Sequence, residues 1–205
     1  ASPLYLLSAS RVSFEVENTA PVFDVEAAIT GDLHNDATLA CTGSATDTDG
    51  SVPALTYAWS NITAGTSLGT AQDQVLDATL ASPEDEVSCT ITATDVDGEF
   101  VTSSASVVLE NRAVAVNSVT VTGSTAYNDA LLNCTADATD PDAEALTTEY
   151  LWTHGGTGAT LGTDATLQLD ATIALPGDSI ACEATVSDAA GASASGAGSF
   201  AVLNR

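Results

Sequence analysis

The sequence has no lysine and no methionine, and its only basic residues are arginines at positions 11, 112 and 205. Against these three stand 28 acidic residues, which give a formal net charge of −25. A chain of this charge repels phosphate backbones, which excludes nucleic acid as a partner. The acidity fits three interpretations that the sequence leaves open: cation binding, solubility in a salty medium, or repulsion between long molecules.

Aromatic residues, long apolar runs and catalytic motifs are also scarce. Aromatic residues make up only 5% of the chain, so a core must be built from Val, Leu, Ile and Ala. No stretch approaches 18 consecutive apolar residues, which predicts that the chain does not span a membrane. The motifs of serine hydrolases, zinc proteases and phosphate-binding loops are missing, and no acidic pair stands out as a glycosidase dyad. The sequence therefore predicts a protein that is not an enzyme.

What the sequence does contain is one Cys–Trp–Cys frame that occurs twice. The first frame is Cys41, Trp59 and Cys89, and the second, 93 positions later (134 − 41), is Cys134, Trp152 and Cys182. The cysteines of each frame are 48 positions apart, which favours two intradomain disulfides in an oxidising, extracellular or cell-surface setting. The alternative is four buried free thiols. The tryptophans are predicted core residues, and the period predicts repeats at 19–111 and 112–205 after a segment at 1–18.

Alternation of apolar and polar residues predicts short strands separated by turns. It is clearest over residues 86–94, where every second side chain would point inward. Further strands are predicted at 22–29, 37–42, 55–59, 74–76 and 101–110, with a turn at 65–69. Seven or so short strands around Cys–Trp–Cys spacing fit an immunoglobulin-like sandwich. The predicted fold is all-β, with two tandem immunoglobulin-like β-sandwich domains in line, preceded by one extra N-terminal β-strand.

The stretch from Asn35 to Cys89 resembles the tandem Ig-like and PKD-like (cadherin-like) repeats of large bacterial surface proteins. The residues that carry this resemblance are NDATLAC at 35–41, ATDTDG at 45–50, YAW at 57–59 and VSC at 87–89. The linker at 17–21 resembles the junction between such repeats. In the second repeat Val114 replaces the junction proline, and no glycine follows Asp142. The resemblance implies β-sandwiches strung together as an extracellular stalk, adhesin or filament.

Two functions are open at this point. The first is a structural subunit or repeat of an extracellular bacterial filament, stalk or adhesin, with copies of itself or neighbouring repeats as partners. The alternative is a carbohydrate- or ligand-binding Ig-like module, for which Tyr5, Phe100 and Tyr127 are the candidate exposed aromatic residues.

The N-terminal segment aligns with the last strand of a repeat, but no preceding strand accompanies it. Its residues Ser13, Phe14, Glu15 and Val16 are therefore an orphan strand. Either it packs locally or remains from a longer array, or it is donated to the open sheet edge of a neighbouring subunit. Donation predicts a linear homopolymer, because a head-to-tail contact that does not close gives an open fibre.

The acidic turns are the candidate metal sites, and calcium is the one candidate cofactor. In an Ig-like sandwich the turn after the second strand and the last hairpin turn emerge where the preceding linker enters, and Ca²⁺ prefers such oxygen ligands. The candidate ligands are Asp47, Asp49, Asp95, Asp97 and Glu17 in the first repeat, and Asp140, Asp142, Glu144, Asp188 and Glu110 in the second. The alternative is that Asp is simply favourable turn chemistry in solvated loops. No catalytic residue is predicted.

Overall fold

The computed structural model describes residues 17–50 and 52–205. Within these ranges the regular structure consists of β-strands that pair antiparallel, which confirms the predicted fold class. The first seven strands are β1 (Val22–Gly31), β2 (Thr38–Thr46), β3 (Ala54–Asn61), β4 (Thr66–Gly69), β5 (Asp73–Val75), β6 (Glu86–Thr94) and β7 (Phe100–Val108). The next seven are β8 (Ala115–Gly123), β9 (Leu131–Thr139), β10 (Thr147–His154), β11 (Thr160–Gly162), β12 (Thr166–Gln168), β13 (Ser179–Ser187) and β14 (Ser193–Ala201). The predicted orphan strand at 13–16 lies outside the described residues.

Each group of seven strands forms two sheets of the same design. In the first group the strand orders are β1-β2-β5 and β4-β3-β6-β7. In the second group they are β8-β9-β12 and β11-β10-β13-β14. Each group encloses its own apolar core, to which both of its sheets contribute. The chain is therefore two β-sandwiches in tandem, here called the first and the second sandwich. The unit boundaries at 18/19 and 111/112 stay a prediction.

One disulfide joins the two sheets of each sandwich. Cys41 on β2 is bonded to Cys89 on β6, and Cys134 on β9 is bonded to Cys182 on β13. These are the pairs that the sequence predicts. Each bond crosses the core between strands of opposite sheets, so it fixes the distance between the sheets at the centre of the sandwich.

A buried tryptophan lies beside each disulfide. Trp59 is opposite Cys89 in the β3–β6 pairing, and its side chain is almost completely buried. Its indole N–H donates to the backbone carbonyl oxygen of Ala71 at 2.9 Å. The indole N–H of Trp152 donates to the backbone carbonyl oxygen of Asp164 at 2.8 Å. A buried indole needs such an acceptor for its one polar atom. The same contact recurs 93 positions on, so the repeat period extends to the polar atoms of the core.

The predicted alternation is clearest in β6. Val87, Cys89, Ile91 and Ala93 are all completely buried, and the residues between them are half-buried. This pattern is expected for a central strand with one face on the core, because successive side chains point to opposite faces of a sheet.

Two strand predictions differ from the structure. The sequence predicts only a turn at 65–69, but β4 pairs there with β3. Its Thr and Ser residues carry no apolar alternation, so the pattern gave no signal. The last strand of the first repeat, predicted to reach Glu110, ends at Val108. There the chain leaves β6. The backbone N–H of Leu109 donates to the backbone oxygen of Asp85, and the backbone N–H of Glu110 donates to the backbone oxygen of Leu33.

The described residues contain no helix long and apolar enough to cross a membrane.

Candidate functional site at the repeat junction

The linker that leads into the first sandwich, residues 17–19, is bonded to both acidic turns of that sandwich. Asn18 Nδ2 donates to Asp95 Oδ2 at 2.8 Å, in the turn between β6 and β7. The backbone N–H of Thr19 donates to Asp49 Oδ2 at 2.6 Å, in the turn between β2 and β3. The two turns therefore lie at the end where the linker enters, as the sequence predicts.

The linker between the sandwiches, residues 110–112, makes the same two bonds. Asn111 Nδ2 donates to Asp188 Oδ2 at 3.1 Å, and the backbone N–H of Arg112 donates to Asp142 Oδ2 at 2.6 Å. Each of these residues is 93 positions beyond its counterpart. The two linkers therefore enter their sandwiches in the same way.

In the first sandwich both oxygens of the Asp95 carboxylate accept hydrogen bonds. Its Oδ1 accepts the backbone N–H groups of Asp97, Gly98 and Glu99 at 2.7–2.9 Å. The bond from Asn18, followed by these backbone N–H groups, keeps the pKa of Asp95 below its ordinary value. Hydrogen bonds to a carboxylate favour its charged form, so the linker and the turn together stabilise the negative charge of Asp95.

At the linker between the sandwiches, Arg112 introduces a positive charge that the first linker lacks. Its Nε contacts Asp142 Oδ1 at 2.8 Å, and one terminal nitrogen contacts Asp36 Oδ1 at 3.0 Å. The Asp142 side chain is completely buried. The hydrogen bond between Asp142 and Arg112 is the main cause of the raised pKa of Arg112. Because Asp36 belongs to the first sandwich and Asp142 to the second, the guanidinium bridges the two.

A second contact between the sandwiches is made by Asn35, which is buried in the loop between β1 and β2. Its Nδ2 donates to the backbone oxygen of Asp142 at 2.9 Å, across 107 positions of sequence. In the same loop the Leu33 oxygen accepts the N–H of Glu110 at 2.6 Å. We call the contacts of Asn35, Asp36, Arg112 and Asp142 the junction lock, because they hold the linker and both sandwiches together.

Beside the junction lock lies an acidic cluster made of Asp140, Glu144 and Asp188. One carboxylate oxygen from each residue lies within 4.8 Å of the others. Asp140 Oδ2, Glu144 Oε2 and the neighbouring Asn111 Oδ1 are buried acceptors with no hydrogen-bond donor among the described residues. Burial, and then the charges of Asp188 and Asp140, raise the pKa of Glu144. Buried acceptors normally have a partner, so this group is unusual.

The acidic cluster contains three of the ten predicted metal ligands. Asp142 lies between Asp140 and Glu144 in the sequence, but its carboxylate is paired with Arg112. Glu110 lies on the linker with an exposed side chain.

The five predicted ligands of the first sandwich form no comparable group within the described residues. Asp97 is exposed, and Asp95 is held by the bonds given above. The position that corresponds to Glu144 is Ser51, which brings no carboxylate. Metal binding at this end stays a prediction.

The junction also holds two residues with left-handed backbone conformations. Glu84 has a φ of 67° and Ala143 a φ of 60°, and they are the only non-glycine residues with positive φ in the described chain. Their counterparts in the other sandwich are Gly177 and Gly50, which adopt the same region without a Cβ penalty. Ala143 separates Asp142 from Glu144, and the charge of Glu84 helps to raise the pKa of Glu144. Such conformations cost about 1 kcal/mol or more and tend to persist at functional sites.

The sequence reasoning missed the residues that lock the sandwiches together, Asn35, Asp36 and Arg112. A signal existed, since the Asn-Asp pair recurs at 128–129 and the arginine recurs at Arg205. A repeated polar pair outside the core pattern indicates a contact that every repeat makes.

The structure describes two of the three aromatic residues proposed for a binding surface. Phe100 on β7 is 64% exposed, whereas the Tyr127 ring lies beneath the guanidinium of Arg205, 4.9 Å from its centroid. The two belong to different sandwiches, and Tyr5 lies outside the described residues.

No family model matches the chain, and no curated protein matches its sequence. Among solved structures, the chain is similar to three N-terminal domains of the Highly Immunogenic Outer Capsid protein of bacteriophage RB49. That match has 16% identity and a TM-score of 0.33, and it covers 88% of this chain and 71% of that one. It is also similar to a tetra-tandem repeat in the extending region of a large adhesion protein. There the identity is 21% and the TM-score 0.38, with coverage of 88% of this chain and 50% of that one. At these TM-scores the similarities carry no functional argument.

Proposed function

We propose that the chain is a structural module of an extracellular stalk, adhesin or filament, in which Ig-like repeats of the PKD-like or cadherin-like type are joined by stiff junctions. The observation that carries this proposal is the junction lock. A linker that served only as a tether would need no buried Asn35 and no guanidinium shared between the sandwiches. Restricting the angle between repeats is what a spacer must do to transmit length and force.

The disulfides support the extracellular location. Two bonds that cross the cores persist in an oxidising compartment and are rare where thiols are kept reduced. The high negative charge keeps long acidic molecules apart in solution. A non-enzymatic role is part of the same proposal.

The far end of the second sandwich supports self-association, which we propose as the partner interaction. Asn128, Asp129 and Arg205 occupy the positions of Asn35, Asp36 and Arg112 in the junction lock. Arg205 already contacts Asp129 and so reproduces the pairing of Arg112 with Asp36. This half of a junction lock would accept the acidic turns of a following repeat or of a second copy.

Stiffness is tested by small-angle X-ray scattering on the 205-residue chain and two variants. The intact chain should give one well-defined maximum dimension, and Arg112→Ala should broaden the distance distribution. Arg205→Ala, compared with the other two proteins at a concentration where all are monomeric, is the matched control, since it removes an arginine at the equivalent position outside the junction. A wild-type ensemble as broad as that of Arg112→Ala would overturn the stiff-junction proposal.

Self-association is tested by light scattering and electron microscopy. Donation of residues 13–16 predicts polymers that disappear when residues 1–18 are deleted. Docking through the second sandwich predicts association that Arg205→Ala and Asn128→Ala weaken, whether or not the N-terminal segment is present. Monodisperse rods in every sample would overturn both routes to a homopolymer.

A further inference from the structure

We propose that the far end of the second sandwich carries a docking pocket for the apolar residues 4–7 of a second copy of the chain. The pocket, here called the end pocket, has a volume of about 370 Å³. The lining residues that matter here are Ala159, Leu161, Ile173, Ala174, Leu175 and Asp178. This inference rests on the self-association proposed above and names one contact by which a copy follows another.

The end pocket lies where the chain leaves the second sandwich. The loop between β12 and β13, which lines the pocket, is bonded to the residues after β14. The backbone N–H of Gly177 donates to the backbone oxygen of Val202 at 2.8 Å, and the N–H of Val202 donates to that of Asp178 at 2.9 Å. The next residue, Leu203, donates its N–H to the backbone oxygen of Ala126 in the loop between β8 and β9. The end pocket therefore shares this end with the half junction lock described above.

The end pocket is more apolar than the corresponding part of the first sandwich. Leu175 is 59% exposed and occupies the position of Ser82, and Ala159 occupies that of Thr66. Ala174, which also lines the pocket, is almost completely buried. A single exposed leucine is ordinary, but a leucine beside a concave apolar surface forms a place for another apolar side chain. The first sandwich, whose corresponding end meets the second sandwich, carries the polar residues instead.

Hydrogen bonds hold one wall of the end pocket in place. Asp178 Oδ2 accepts the backbone N–H of Leu175 at 2.7 Å and contacts His154 Nε2 at 3.1 Å. In the first sandwich Asn61 takes the position of His154 and donates to Asp85, the counterpart of Asp178, at 2.7 Å. Since both sandwiches fix this wall by an equivalent contact, the end pocket is formed before any partner arrives.

The composition of the N-terminal segment identifies the occupant. Residues 1–16 precede the first described residue, and residues 1–10, ASPLYLLSAS, carry no charged side chain. Two copies with a net charge of −25 repel each other, so an uncharged apolar segment is well suited to approach the acidic surface of another copy. Arg11 follows this segment and complements the negative charge of Asp170 and Asp178 at the far end.

The distance along the molecule requires that the occupant come from a second copy. The linker at 17–19 is bonded to the acidic turns of the first sandwich, so the path to the end pocket runs the length of both sandwiches. Strands of nine residues span about 30 Å, which makes this path about 60 Å. The ten residues from Leu7 to Glu17 span at most about 36 Å. A second copy whose linker joins at the far end brings its residues 4–7 within reach.

The test is sedimentation velocity over a concentration series, on the 205-residue chain and three variants. Leu175→Ser changes the pocket and installs the residue of the first sandwich, so the fold is kept, whereas Leu4→Ser/Leu6→Ser changes only the segment. Each should weaken self-association about tenfold or more, because an apolar anchor in a pocket carries much of the energy of a small interface. Leu151→Ala is the matched control and should leave association unchanged. It also installs the residue of the first sandwich, at an exposed leucine outside the end pocket.

Mixing the two defective proteins gives an independent result. Leu175→Ser keeps an intact segment, and Leu4→Ser/Leu6→Ser keeps an intact pocket. An equimolar mixture should therefore form 1:1 dimers that grow no further, at a concentration where neither protein associates alone. Because a misfolded variant does not regain binding on mixing, this result separates a lost contact from a lost fold.

Three results would overturn this docking mode. Wild-type association that Arg205→Ala abolishes, but that neither leucine variant weakens, would leave self-association standing by another route. Association lost in Leu175→Ser but not in Leu4→Ser/Leu6→Ser would mean that a different part of the second copy fills the end pocket. A wild-type chain that stays monomeric throughout would overturn the docking and the self-association together, and would leave the stiff junction to its own test.

Discussion

The two linkers of this protein make the same first contacts and differ in what surrounds them. In each, an Asn amide reaches the Asp of the hairpin turn, and the next backbone N–H reaches an Asp of the turn after the second strand. The differences lie at Thr19, Gly50, Ser51 and Asp97 in the first sandwich, which correspond to Arg112, Ala143, Glu144 and Ala190 in the second.

These four differences between the repeats lie outside the two cores. The disulfides, the tryptophans and their hydrogen bonds are the same in both sandwiches. The substitutions instead turn a solvated entrance into a junction with a buried ion pair and an acidic cluster. A repeat can thus keep one framework and change the contacts made at its end through a few loop residues.

The largest effect is expected from the disulfides, and it should be equal in the two sandwiches. Each bond closes a 48-residue separation, so the double substitutions Cys41→Ala/Cys89→Ala and Cys134→Ala/Cys182→Ala should each lower the free energy of unfolding of that sandwich by about 4 kcal/mol. Guanidinium unfolding followed by fluorescence of Trp59 and Trp152 measures both. Losses that differ strongly between the sandwiches would contradict the equivalence of their frameworks.

The next effect distinguishes the two equivalent arginines. Arg112→Ala leaves the completely buried Asp142 without its ion-pair partner, which should destabilise the second sandwich by about 3 kcal/mol. Arg205→Ala breaks an exposed contact with Asp129 and the packing of the guanidinium over the Tyr127 ring, and it should cost about 1 kcal/mol. Chemical unfolding of both variants checks this. Equal effects would show that the guanidinium at the junction is not special.

Exchanging glycine and alanine at the turn after the second strand should give opposite signs in the two sandwiches. Gly50→Ala places a Cβ on a residue with a φ of 90° and should destabilise by about 1 kcal/mol. Ala143→Gly relieves the same conformation and should stabilise by a similar or smaller amount, of the order of 0.5–1 kcal/mol. Thermal melts of the two variants test this. A loss of stability in Ala143→Gly would mean that the alanine methyl group packs favourably enough to outweigh the strain.

The smallest effect concerns the pH dependence of the first linker. Asn18 holds the pKa of Asp95 below its ordinary value of 3.8, so the stability that this carboxylate contributes is present above the unfolded-state pKa and is lost as pH falls through the folded one. Asn18→Ala should raise the pKa of Asp95 toward its ordinary value. Asn111→Ala, which removes the matching bond at the other linker, should leave it unchanged. Carbon-detected NMR titration of the Asp95 carboxyl group in the wild-type protein and both variants measures these effects. An Asp95 pKa that Asn18→Ala leaves unchanged would contradict the prediction.

The sequence predicted the framework well because the framework is periodic. The inward face of β6 and both cysteine pairs follow from alternation and spacing. β4 was missed because Leu68 is the one apolar residue among its four, and a single apolar residue gives no alternation.

The site was predicted only in outline. The 93-residue period and turn chemistry indicated that the acidic turns meet the linker. They could not show which carboxylates gather, because Asp140 and Asp142 are two positions apart and make different contacts. One is part of the acidic cluster, and the other is paired with Arg112. The bond from Asn35 to Asp142 spans 107 positions, and only the folded arrangement of the two sandwiches reveals it.

The most direct test of the stiff junction is ¹⁵N relaxation of the intact chain, which reports how each sandwich tumbles. The junction lock predicts a single rotational diffusion tensor for residues 22–108 and 115–201, and two separate tensors in Asn35→Ala/Arg112→Ala. Two independent tensors in the wild-type protein would contradict the central claim, because the sandwiches would then move as separate bodies on a flexible linker.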